Sequence, residues 1–170
     1  MIKHLSRGQR AKLGLLVAIA YKPDLLLFDE PSSGLDPVVR RDMLTAIVHT
    51  ITEEGRTVVL SSHLLDEVER VADQVVMIHE GRIVLSDTLE DIRLAHHQLI
   101  VRFKQSQNKK PVLPGMLSCE GGPMEWSYIC KEKFDILKTA VQNLKGNIVE
   151  STSPSLDEIF VARVKADHIY

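Results

Sequence analysis

Two adjacent acids, Asp29 and Glu30, stand directly after the apolar run Leu25-Leu26-Leu27-Phe28. Carboxylates at the C-terminal end of a buried strand lie where open α/β sheets bind their ligands. Successive side chains at a strand end point to opposite sides. Asp29 is therefore placed to hold a divalent cation and Glu30 to polarise an attacking water. The segment Pro31-Ser32-Ser33-Gly34-Leu35-Asp36-Pro37 follows at once, which argues against a plain solvated acidic loop. His63 lies just past a second apolar run, Thr57 to Ser61, where an imidazole can donate a hydrogen bond to a phosphate or orient water. Leu5-Ser6-Arg7-Gly8-Gln9 opens a helical pattern. A helix N-terminus offers free backbone N–H groups and a positive dipole end, and the small Ser6 and Gly8 let an anion approach closely. Each feature also has an ordinary structural reading: a serine-capped helix, solvated acids, a histidine satisfied within its fold. Their weight comes from standing together.

The elements that must position these residues are legible from periodicity. A helix runs from about Ser6 to Tyr21, capped by Ser6 and stopped at Pro23. Leu25 to Phe28 reads as a buried parallel strand covered on both faces. Asp36 and Pro37 form an N-cap and first helical residue, and Val39, Met43, Ile47 and Ile51 repeat at helical spacing as far as Gly55. Thr57 to Ser61 is a strand and Leu64 to Ala72 an amphipathic helix. Gln74 to His79 and Arg82 to Ser86 flank Glu80-Gly81, a hairpin pattern, and Asp87 with Glu90 caps a short helix. Alternation of strand and helix predicts an α/β layered fold with a parallel sheet.

Near Ala95 the texture changes, and the spacing places a boundary there. Leu99 to Phe103 and Glu125 to Cys130 read as strands, separated by a polar stretch at 105–115 punctuated by Pro and Gly. Phe134, Leu137, Val141 and Leu144 make a helical stripe closed by Gly146, Ile148-Val149 is a short strand, and Ser155 with Glu158 caps a last helix. This remainder is a small α+β appendage.

Composition narrows the classes. A hydrophobic share of 44% with 26% charged residues is that of a folded globular protein. A net charge of −2 gives no general pull toward nucleic acid or anionic lipid. Cys119 and Cys130 are too few for a disulfide framework and lack metal-ligand spacing. The longest apolar run, Leu13 to Tyr21, falls short of the ~20 residues that span a bilayer, and no signal-peptide pattern opens the chain. Any membrane role is expected to be peripheral.

With these residues in view, the first 95 positions resemble the C-terminal half of an ABC-transporter nucleotide-binding domain. Leu5 to Gln9 is similar to its signature motif, Leu25 to Asp29 to its Walker B strand, and Glu30 to its catalytic glutamate. Ser33-Gly34-Leu35-Asp36 is similar to its D-loop and His63 to its switch histidine, in the family's order and spacing. Arg7 departs from the commonest signature, which has glycine there. Residues 96–170 resemble the accessory C-terminal domain on ATPase subunits of ABC-2-type exporters, through the closing Ser155-Leu156-Asp157-Glu158-Ile159-Phe160.

The resemblance implies a subunit that sandwiches Mg-ATP against a second nucleotide-binding subunit. Asp29 would bind Mg²⁺, and Glu30 and His63 would act in hydrolysis. Leu5, Ser6, Arg7, Gly8, Gln9, Ser33, Gly34, Leu35 and Asp36 would face nucleotide. It further implies a separate transmembrane permease, location on the cytoplasmic face of the cell membrane, an export direction and no nucleic-acid partner. A phosphate-binding loop requires Gly-Lys followed by Ser or Thr, and no Gly-Lys pair occurs in this chain. The region bearing the Q-loop glutamine is missing as well. The expectation is therefore a C-terminal fragment that is inactive alone. The rival expectation is a non-catalytic partner that lends its signature surface to a complete ATPase.

Overall fold

The computed structural model describes residues 4–52, 55–107 and 109–167. They group into two compact units, one ending at Val71 and the other beginning at Ala72.

The first unit begins with α1 (Arg7–Ala20), β1 (Leu25–Asp29) and α2 (Pro37–Thr52), and continues with β2 (Thr57–Ser61) and α3 (Leu65–Val71). Ser6 caps α1 through a reciprocal pair: its hydroxyl accepts from the Gln9 amide at 3.2 Å, while the Gln9 side chain accepts from the Ser6 amide at 2.9 Å. This capping box satisfies two N–H groups that the helix start would otherwise leave free. Asp36 caps α2 as expected, its Oδ1 accepting from the amides of Val38 at 3.1 Å and Val39 at 3.0 Å. β1 and β2 pair in parallel, in register from Leu25↔Thr57 to Asp29↔Ser61. The stripe on α2 buries Met43 and Ile47 with Leu15 of α1 and Leu35, and Val39, Phe28 and Val58 pack around them.

Leu25 to Phe28 has the apolar run of a strand made for cover on both faces, and within this unit one flank is open: Leu25 is 52% and Leu27 70% exposed while Leu26 is buried. β1 and β2 form a two-stranded sheet. Its apolar outward positions, Leu25, Leu27 and Val59, are open.

The second unit holds the hairpin β3 (Gln74–His79) and β4 (Arg82–Thr88), then α4 (Leu89–Ala95), β5 (His96–Phe103) and β6 (Met116–Gly122). It closes with β7 (Glu125–Lys131), α5 (Phe134–Asn143), β8 (Gly146–Thr152) and α6 (Leu156–Asp167). The hairpin turns at Glu80 and Gly81, both at positive φ, which suits the right-handed strand twist. β5 to β8 form an antiparallel sheet in the order β6-β7-β5-β8. Leu99, Val101 and Phe103 of β5, with Tyr128 and Cys130 of β7, pack on Leu137 and Val141 of α5. α6 packs against β6 and β7, and Gln98 of β5 donates to its Glu158 at 3.1 Å. Cys119 and Cys130 are buried free thiols, and burial pushes the Cys130 thiol up to about 12.

Three local readings shift. The cap of α4 is Thr88 rather than Asp87, its hydroxyl accepting from the Asp91 amide at 3.0 Å. α5 ends at Asn143 and is closed by Lys145, at φ +59, while Gly146 starts β8, where a Cβ would lie 2.9 Å from Phe103 and Val101. β6 carries no pattern of its own: Gly121 and Gly122 sit at positive φ, and the strand is fixed by pairing with β7. Among the described residues no helix is long and apolar enough to cross a membrane.

His96 is buried, donates from Nδ1 to the Ile92 carbonyl at 2.8 Å, and takes the Arg163 guanidinium at its Nε2, 3.2 Å away. Desolvation is the main cause that lowers its pKa from the ordinary 6.5. The unfolded chain therefore binds this proton more readily, and stability is lost as pH falls below that value. In urea, followed by the fluorescence of Trp126, the unfolding midpoint of this unit is expected to drop between about pH 7.5 and 5.5. His96→Gln should reduce that slope, and His97, whose pKa burial also lowers, should account for part of what is left.

Candidate functional site

The parallel register sets Ser61 opposite Asp29. The Ser61 hydroxyl donates to Asp29 Oδ1 at 2.5 Å and accepts from the Glu30 amide at 2.9 Å, while the Ser61 carbonyl takes the same amide at 3.2 Å. Glu30 has φ +46, in the left-handed region that a residue with a Cβ enters only at a cost. From that backbone its Oε2 reaches His63 Nδ1 at 2.7 Å. Both side chains remain accessible, 37% for Glu30 and 63% for His63. Asp29, Glu30 and His63 thus form one cluster, with Ser61 at its centre.

Beyond Glu30 the chain turns. The Ser33 amide donates to the Glu30 carbonyl at 3.1 Å, the Leu35 amide to the Ser32 carbonyl at 3.2 Å, and Gly34 adopts φ +66. The turn is anchored from beneath. Ser32 is buried and donates to Glu67 Oε2 at 2.6 Å. Arg40 of α2 sits 3.1 Å from Glu67 Oε1, and the Glu67 side chain is 2% exposed. Glu67 therefore ties the segment after Glu30 to the helix after His63.

The signature-like residues form a second group. Leu5 is half-buried, and Ser6, Arg7 and Gln9 are exposed at the start of α1. The hydroxyl of Ser6 and the amide oxygen of Gln9 are already engaged in the capping box. Gly8 lies against Val39, 3.2 Å from where its Cβ would be, so a side chain there would crowd α2. Arg7 reaches across to the Ser33 carbonyl at 2.9 Å and links the two groups. Of the D-loop-like residues, Leu35 is buried in the core and Asp36 caps α2. Ser33 and Gly34 make the turn between them.

A cation that takes one or two carboxylates and completes its shell with water and phosphate oxygens fits what Asp29 offers. A protein-only cage does not: among the described residues no three His, Cys, Asp or Glu side chains converge to hold a metal. Sequence reasoning passed over Ser61, Ser32, Arg40 and Glu67. A signal existed for Glu67, an acid at the apolar spacing set by Leu64, Val68 and Val71.

Residues 2–68 match a family model described as "AAA domain, putative AbiEii toxin, Type IV TA system". An uncharacterised ABC transporter ATP-binding protein of Methanocaldococcus jannaschii is 41% identical over 54% of this chain and 34% of its own. The lantibiotic transport ATP-binding protein SrtF of Streptococcus pyogenes is 38% identical over 54% of this chain and 42% of its own. The uncharacterised ABC transporter ATP-binding protein YhaQ of Bacillus subtilis is 28% identical over 97% of this chain and 57% of its own. A solved ABC transporter in an inward-facing conformation superposes with a TM-score of 0.51 at 18% identity, over 80% of this chain and 51% of that one, a likeness of fold. The chain spans about a third to three fifths of the length of these curated relatives.

Glu67 makes the prediction here. Glu67→Ala leaves the buried Ser32 hydroxyl without its acceptor and the partly exposed Arg40 without its carboxylate, and is expected to cost ~1–3 kcal/mol in urea unfolding. Glu67→Gln keeps a bond to Ser32 and should cost clearly less.

Proposed function

We propose that this chain, whose homologues are ABC transporter ATP-binding proteins, carries the signature, Walker B, D-loop and switch-histidine segments of an ATPase subunit. In this reading it works with a second nucleotide-binding subunit on the cytoplasmic face of a membrane and drives export through a separate permease. The observation that carries it is the cluster at the ends of β1 and β2: Asp29, and Glu30 in contact with His63 at 2.7 Å. A carboxylate beside an imidazole at a sheet's C-terminal edge is the equipment of phosphoanhydride hydrolysis.

Mg-ATP, when bound, supplies the γ-phosphoryl group and its charge neutralisation. Asp29 would lend one carboxylate to the ion, oriented by Ser61. Glu30 would accept a proton from the attacking water, and its left-handed backbone aims the carboxylate toward His63. His63, donating to Glu30 from Nδ1, would position that carboxylate, and would donate from Nε2 to a phosphate oxygen as the doubly protonated ring. On the other surface the amides of Ser6, Arg7, Gly8 and Gln9, with Ser33 to Asp36, would meet the ATP bound by the partner subunit. The capping box keeps the Ser6 hydroxyl at the mouth of α1, where it can exchange its partner for phosphate.

We assign residues 1–95 to this catalytic part and residues 96–170 to an accessory domain. That division follows chemistry. Packing places β3, β4 and α4 with the C-terminal sheet. YhaQ aligns through both parts.

In the complete subunit, Glu30→Gln is expected to lower ATP turnover ~10²–10⁴-fold with ATP binding retained. A fall under about tenfold in phosphate release would exclude Glu30 as the base. The chain alone contains no Gly-Lys pair to cradle phosphates. Titrated with Mg-ATP in a calorimeter it is expected to show no binding in the low micromolar range. Tight binding with turnover that Glu30→Gln removes would refute the assignment as a partial ATPase.

A further inference from the structure

Arg7 belongs to the first turn of α1, yet its side chain serves another element. Its Nη2 donates to the Ser33 carbonyl at 2.9 Å, 26 residues along the chain. The guanidinium also lies directly over Gly34: a Cβ built on that glycine would stand 2.5 Å from Cζ and both terminal nitrogens of Arg7. Gly34 is thus required twice, for its φ of +66 and for the room it leaves the guanidinium. The rest of the turn is held from within the fold, Ser32 by Glu67, Leu35 in the core, and Asp36 at the cap of α2. The anchor at Ser33 and Gly34 comes from Arg7.

We propose that Arg7 is a positioning residue, which latches the N-terminus of α1 to the Ser33-Gly34 turn so that both segments present one rigid surface. The part of this that concerns nucleotide rests on the reading above, in which both segments face the phosphates held by a second subunit. A glycine at position 7 would keep the helix amide and lose the latch. Arginine suits the role because its planar fork makes a hydrogen bond and lies flat on an exposed peptide at once, whereas an ammonium does only the first.

The contact itself is tested on the 170-residue chain by a double-mutant cycle of Arg7→Ala and Gly34→Ala, read as the unfolding equilibrium constant in urea. Gly34→Ala carries two penalties, backbone strain and displacement of the guanidinium, and Arg7→Ala removes the second. Its effect on the constant should therefore be smaller in the Arg7→Ala background by about threefold or more. Independent effects, multiplying to within about twofold, overturn the latch.

The role is tested in the complete subunit assembled with its partner. There Arg7→Ala is expected to lower kcat about fivefold or more while KM for ATP stays within about twofold, because the latch orders groups that act after binding. Arg7→Lys should recover less than half of that loss. Coupling in the cycle with unchanged kcat overturns the positioning role. An unsubstituted complete subunit without turnover refutes the ATPase reading and the role with it, while the cycle still decides the contact.

Discussion

The candidate site depends on the register of one parallel strand pair. With Asp29 opposite Ser61, a single hydroxyl reaches both the Asp29 carboxylate and the Glu30 amide, and the two residues after Ser61 carry the chain to His63. Because side chains alternate along a strand, a slip of one residue would turn Ser61 to the opposite face and remove His63 from reach of Glu30. What holds the register is packing. Phe28 and Val58 lie against the α1–α2 core, and the buried Glu67 pulls the turn after β1 onto the helix after β2. A carboxylate taken out of water is tolerable only when paired and bonded, so Glu67 stabilises one arrangement of these two loops at the expense of neighbouring ones.

Several residues that look like ligands are also structural, and the two duties are compatible for a physical reason. Asp36 spends its carboxylate on the amides of α2, and Leu35 fills the core. Their contribution to any surface is to fix where Ser33 and Gly34 stand. Ser6 and Gln9 satisfy each other at the mouth of α1. Such a pair engages the amides of Ser6 and Gln9 and makes no use of those of Arg7 and Gly8, which an anion at the helix start could meet.

Much of this was readable from residue types. The apolar stripe of α2, the caps at Ser6, Asp36 and Ser155, and the placing of Asp29, Glu30 and His63 at strand ends follow from periodicity and capping chemistry, and the structure bears those elements out. Long-range ties were not readable. Nothing local distinguishes Ser61 from any strand-terminal serine, and its importance comes from a partner 32 residues away. The contact of Arg7 with Ser33 is of the same kind. β6 was invisible because its identity lies in pairing: two glycines and a mixed pattern make a strand only beside β7. The exposed face of β1 shows a different limit, since an unbroken apolar run reports what a strand would bury and not what stands against it.

Glu30 occupies a left-handed backbone without being glycine, and this has a consequence for how the site would fail. Such a conformation lies roughly 1–2 kcal/mol above the extended alternative for a residue with a Cβ. The bonds from Ser61 to its amide act against that gradient like a catch on a loaded spring. Losing those bonds would favour the extended basin for Glu30, a backbone from which its carboxylate is no longer aimed at His63. Residue choice at this position is narrowed accordingly. Branched side chains are excluded by the backbone before any question of charge arises, and asparagine, which tolerates positive φ, keeps the fold while abandoning the carboxylate.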